Sequence, residues 1–210
     1  MPSRATPTWA ATGFAAGTFV QTARGLRPVE RLVPGEDVIE HRDGTALTLL
    51  ELYTARYTKS ALKRAKAPRP IRIDALALGG TVPTRPLIVA PTVHVMAQGR
   101  LVNRVTESQE ILMPFGALTG YEGVEQFIPE DGITYYHPIC AEHCLLRAEG
   151  LLCETLYLGE GADPNLKAAS PVAARDMTSK LPRVDPDTAK KLSRKLLKKN
   201  RPISSDVDED

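Results

Sequence analysis

The stretch Thr12–Ile39, "TGFAAGTFVQTARGLRPVERLVPGEDVI", decides the fold. Its "TFVQTARG" alternates apolar and polar residues and stops at Gly25, as a half-buried strand does before a turn. Val29 and Leu32 then fall on one side of a single helical turn. Pro34-Gly35 has type II turn chemistry, because proline presets φ and glycine accepts a positive φ. "DVIEH" follows as a second strand, and Asp43-Gly44 is a hairpin turn.

The same alternation of short strands and turns continues to about Gly159. "TLLELYTARYT" is a strand or strand pair, and "KSALKRAKAPRP" a surface loop or short helix. "PLIVA" is a strand, and "VHVMAQGRLVNRV" is expected to be a hairpin around Gln98-Gly99. "EILMPFGAL" is a strand edged by Pro114, and turns are expected at Asp131-Gly132 and Glu149-Gly150. No long segment keeps a helical period, so the chain reads as all-β. The expected core includes Val20, Val38, Ile39, Leu50, Ile73, Leu87, Val89, Val95, Leu112, Tyr135 and Leu145.

Composition bounds the function. With 210 residues, 42% of them apolar, the chain holds one domain with a proper core plus extensions. A net charge of +2 gives no global pull toward nucleic acid, and no apolar run is long enough to span a membrane. "ATGFAAGTFV" is too polar and glycine-broken for a signal-peptide core. Cys140, Cys144 and Cys153 are an odd, bunched set that suits reduced thiols in a cytoplasm.

Four pieces in order resemble the Hedgehog/intein (Hint) family, in particular its bacterial stand-alone branch. Gly17-Thr18, "RPVE" (Arg27–Glu30) and "PGEDV" (Pro34–Val38) resemble the family's opening. "PLIVAPTVHVMAQGR" resembles its mid-domain strand–turn–strand, and "EILMPFGAL" the strand after it. "ITYYHPICAEHCLLRAEGLLCETL" resembles the closing segment, in which the family carries two histidines and a final A-E-G-x-x-x-E. The resemblance implies a flat, horseshoe-like disc of two pseudo-symmetric β halves over residues 12–160. Residues 1–11 are then a lead. Residues 161–210 are a mobile extension with a basic helix near 187–200, capped by Asp187 or Thr188, and an acidic end.

In that family a nucleophile, usually a cysteine, attacks the carbonyl just before it. Gly13 stands at that place here and cannot act as a nucleophile. Thr12 and Thr18 are the nearby hydroxyls. The mid-domain Ser/Thr and His places fall on Ala90 and Val93, with His94 one residue out of register. Such a slip turns a strand side chain to the opposite face unless a bulge restores it. His137 and His143 match the family's closing histidines. Cys153-Glu154 occupies the place of the terminal His-Asn of inteins, which argues against splicing.

The resemblance therefore implies a degenerate autoprocessing domain used as a binding or structural module. The alternative is an active self-cleaving domain working through Thr12, Thr18 or a displaced nucleophile by an acyl shift. A third class, zinc held among His137, Cys140, His143, Cys144 and Cys153, has no recognised ligand spacing, so no metal and no cofactor is expected. The basic helix is suited to an acidic partner or anionic lipid, or is a solvated appendage whose leucine face docks on the domain or a partner; it carries no aromatic residue for base stacking, so nucleic acid is not expected.

Overall fold

The computed structural model describes residues 12–64, 68–155, 179, 181–199 and 202–203. Among them are thirteen strands: β1 (Phe14–Ala15), β2 (Phe19–Thr22), β3 (Gly25–Pro28), β4 (Val38–Glu40), β5 (Ala46–Tyr57), β6 (Ile71–Ile73) and β7 (Leu87–Val89), followed by β8 (His94–Gln98), β9 (Glu110–Pro114), β10 (Val124–Gln126), β11 (Ile133–Cys140), β12 (Leu145–Ala148) and β13 (Leu151–Glu154). Three α-helices accompany them: α1 (Lys59–Lys63), α2 (Arg100–Thr106) and α3 (Pro186–Lys198). The strands pair antiparallel along one path, β10-β6-β7-β1-β11-β5-β4-β2-β12-β13-β8-β9, with β3 attached to β2. Among the described residues no helix is long and apolar enough to cross a membrane.

The long strand β5 links the two ends of this path, pairing with β11 on one side and β4 on the other. Its ladder with β11 skips Leu50, since Ile139 faces Glu51 but Cys140 faces Leu49. One extra residue inverts the alternation. Leu49 is therefore fully buried and Leu50 only half-buried, which corrects the expected core. Val38 is also half-buried, because Asp37 and Ile39 take the inward places of that strand.

Buried Asp37 explains the "PGED" turn. Its carboxylate accepts from Arg27 at 2.7 Å and from the Val33 N–H at 2.6 Å, tying the turn back to β3. Gly35 takes φ +82° there, as the turn chemistry predicts. Glu149 plays the corresponding part at the other end. It is buried and accepts from the Phe19 N–H (2.7 Å), the Thr84 hydroxyl (3.1 Å) and Arg85 Nε (3.0 Å). The β12–β13 hairpin turns on Glu149 (φ +47°) and Gly150 (φ +86°), both in the left-handed region that a two-residue type I′ turn needs.

Two expectations are corrected on the far side of the sheet. After β8 the chain does not fold back as a hairpin. Gly99 leads into α2, because Leu101, Val102 and Val105 have helical spacing and pack on the core. The C-terminal segment, expected to be mobile, is integrated where it is described. The Leu112 N–H donates to Pro182 O at 2.8 Å and the Val184 N–H to Leu112 O at 3.0 Å, so residues 182–184 cover the open edge of β9.

The helix α3 is capped by Asp185, whose carboxylate accepts from the N–H groups of Asp187 and Thr188, and not by either of those two residues. Pro186 suits the first helical position because its missing N–H would have been unpaired anyway. Ala189, Leu192 and Leu196 are buried against α2, β9 and the 3₁₀ turn Phe115–Leu118. Ile203 is fully buried as well.

Candidate functional site

The short strand β1 lies between β7 and β11, with Phe14 opposite both Val89 and Tyr136. That pairing presses Gly13 against β11. The Gly13 carbonyl accepts from the Ala90 N–H at 2.9 Å, and its φ is +110°. A Cβ added at Gly13 would stand 2.6 Å from the Tyr136 carbonyl oxygen and 3.2 Å from His137 Cβ. The glycine is thus demanded by a close backbone approach and by its φ. Ala90 and Val93, at the mid-domain places, are fully buried apolar residues.

Thr12 and His137 meet beside Gly13, with Thr12 Oγ1 3.0 Å from His137 Nδ1. His137 is 2% exposed, and the Phe14 ring lies 6.3 Å from its own. Burial pushes its pKa down to about 4; the Glu154 charge and the Thr155 backbone oppose this and His143 adds to it. The ring is neutral at pH 7, the state a general base requires. Its Nε2 is buried and makes no hydrogen bond among the described residues.

A second cluster forms around Glu154, at the end of β13. Its Oε1 is 2.6 Å from His94 Nδ1 and accepts from the His94 N–H at 3.1 Å. Its Oε2 accepts from Arg183, and His143 Nε2 stands 3.6 Å away, an electrostatic contact longer than a hydrogen bond. Burial alone would raise the Glu154 pKa. His143, His94 and the Arg183 guanidinium outweigh it and hold the carboxyl at about 2. His94, one residue out of register, is thus turned to Glu154.

Of the remaining sites, Thr18 is a buried strand-entry residue whose carbonyl accepts from the Val29 N–H at 2.8 Å. Cys140, Cys144 and Cys153 are free and buried. Among the described residues no group of three or more His, Cys, Asp or Glu is arranged to hold a metal ion. Cys144 is tied instead to Thr155, whose Oγ1 accepts from the Cys144 N–H at 2.9 Å. The Cys144 thiol is held below its ordinary value by hydrogen bonding with Cys140, against burial and with help from His41. Glu154 and Arg183 were not singled out as site residues by the sequence. The closing "AEGLLCE" carried a signal for Glu154, whereas Arg183 lies in a polar stretch without pattern.

The Hint domain family matches residues 12–160, and the chain belongs to it. None of the curated proteins matches the chain. Among solved structures it is similar to a bacterial intein-like domain from Clostridium thermocellum (13% identity, 69% of this chain and 99% of that one, TM-score 0.47). It is also similar to the gp41-1 intein (12%, 68% and 98%, TM-score 0.44).

Proposed function

We propose that this chain is a degenerate autoprocessing domain, a Hint fold that does not cleave itself and serves as a binding or structural module. One observation carries the reading: the position of the family's nucleophile has no room for a Cβ, since that atom would lie 2.6 Å from the Tyr136 oxygen. A main-chain oxygen in a paired strand does not move aside as a flexible side chain would. The loss is therefore built into the backbone. Apolar Ala90 and Val93 at the helper places support the same reading, because neither can polarise a carbonyl or protonate a leaving nitrogen. The test is intact mass spectrometry of the pure protein after long incubation with and without hydroxylamine. An unchanged mass is expected. A fragment beginning at Gly13 overturns the proposal.

A second reading rests on the Thr12–His137 pair. A hydroxyl 3.0 Å from a neutral, buried imidazole has the elements of an activated nucleophile, attacking the carbonyl before Thr12 by an N-to-O acyl shift. Its mark in the same experiment is a fragment beginning at Thr12 that disappears in Thr12→Ala.

A further inference from the structure

The helices α2 and α3 pack against each other, and burial of their apolar faces turns their charged faces outward. Lys190, Lys191, Arg194, Lys195, Lys198 and Lys199 are exposed along α3, and Arg100 and Arg104 are exposed on α2. Against these eight cations the two helices and their caps carry only Asp185, Asp187 and Glu107. In a chain of net charge +2, this is a strong local concentration of positive charge. Its chemistry narrows the occupant. Among the described residues the exposed large hydrophobics are Leu26, Val33 and Leu76, none of them on either helix, so the two helices present no large exposed apolar side chain to insert into a lipid surface. Neither helix has an aromatic residue on which a base could stack. A row of cations lacking both features fits an acidic peptide best.

The last described residue, Ile203, lies beside the ridge. The Gln98 N–H donates to Ile203 O at 3.1 Å, and Gln98 is followed by Gly99, the N-cap of α2, and by Arg100. Pro202 and Leu197 line the same pocket, which brings the last turn of α3 to this point too. The residues that follow Ile203 are Ser204-Ser205-Asp206-Val207-Asp208-Glu209-Asp210, with four acids and no cation. Extended, seven residues reach roughly 23 Å. The thirteen residues of α3 span only about 20 Å. We propose that the α2–α3 ridge is an acidic-peptide-binding surface and that its occupant is Ser204–Asp210 of the same chain.

The test keeps the full chain and neutralises its acids (Asp206→Asn, Asp208→Asn, Glu209→Gln, Asp210→Asn). A labelled synthetic peptide with the natural Ser204–Asp210 sequence is the ligand. The neutralised chain is expected to bind it, more weakly as salt rises. The unaltered chain should bind it at least roughly tenfold more weakly, because a short tether holds its own acids at an effective millimolar concentration. Arg194→Glu, Lys195→Glu and Lys198→Glu, all exposed, should abolish binding without lowering the melting temperature. Equal binding by the neutralised and unaltered chains overturns the proposal in favour of an occupant from another molecule. So does absence of peptide binding, whether or not duplex DNA or phosphatidylserine vesicles bind.

Discussion

Arg183 and Glu154 form an ion pair across 29 residues of sequence, joining the segment after the family domain to the last strand within it. The carboxylate is almost fully buried and also holds His94 at 2.6 Å. Removing the charge of this carboxylate takes from Arg183 and His94 the acceptor that both contact. Glu154→Gln should therefore destabilise the fold by about 3 kcal/mol. Arg183→Met should cost less, because that side chain is partly exposed and His94 still faces the carboxylate. Urea unfolding of the two variants measures both. An unaltered midpoint in Glu154→Gln would show the cluster to be dispensable.

His137 makes stability depend on pH. Its pKa is depressed from 6.5 to about 4 in the folded chain, chiefly by burial. The unfolded state thus binds the extra proton first. The His137 contribution is complete above pH 6.5, falls between 6.5 and about 4, and totals roughly 3 kcal/mol. Glu154 acts in a lower window. Its folded pKa of about 2 gives stability that is present above 4.5 and lost as pH falls toward 2. Denaturation at pH 7.5, 5.5 and 4.5 should show a steep decline in the native chain and a flatter one in His137→Gln. A native chain equally stable at all three would remove this account.

Much of this fold is legible in short-range chemistry. "PGEDV" and "AEGLL" predict turns, and the buried Asp37 and Glu149 carboxylates show why acids stand in them. The α2 helix was hidden because glycine after a strand reads equally as a hairpin turn or as a helix N-cap, and α2 is only one part of a helix pair. The face of Leu50 was hidden because the β5 bulge depends on β11, which lies more than eighty residues downstream. The site divides in the same way. Gly13 and the two closing histidines stand out in sequence, while the meeting of His94, His143 and Arg183 on Glu154 depends on tertiary placement.

The buried face of α3 makes this helix part of the core. Leu192 is fully buried. Leu192→Ala should destabilise the protein by about 2 to 5 kcal/mol through lost burial and the cavity left behind. A freely solvated helix would tolerate the change within about 0.5 kcal/mol. Chemical denaturation distinguishes the two, and a result in the smaller range would detach α3 from the folding unit.

Placing a thiol at Gly13 should damage the fold before it permits any chemistry. Cysteine there must adopt φ +110°, and its Cβ must displace the Tyr136 carbonyl or His137. Strain of this kind costs of order 1 to 3 kcal/mol, with the clash in addition. Gly13→Ala carries the same Cβ without the sulfur, so the two variants should lose similar stability, at least about 2 kcal/mol each. Adding Val93→His places a polar ring where a fully buried valine sits, which deepens the loss. The double variant is therefore expected to unfold more readily and to remain uncleaved with added thiol. Intact mass and melting temperature are read on the same samples. A stable Gly13→Cys protein that releases a fragment with thiol would mean that β1 can shift away from β11 and that the cleavage geometry persists.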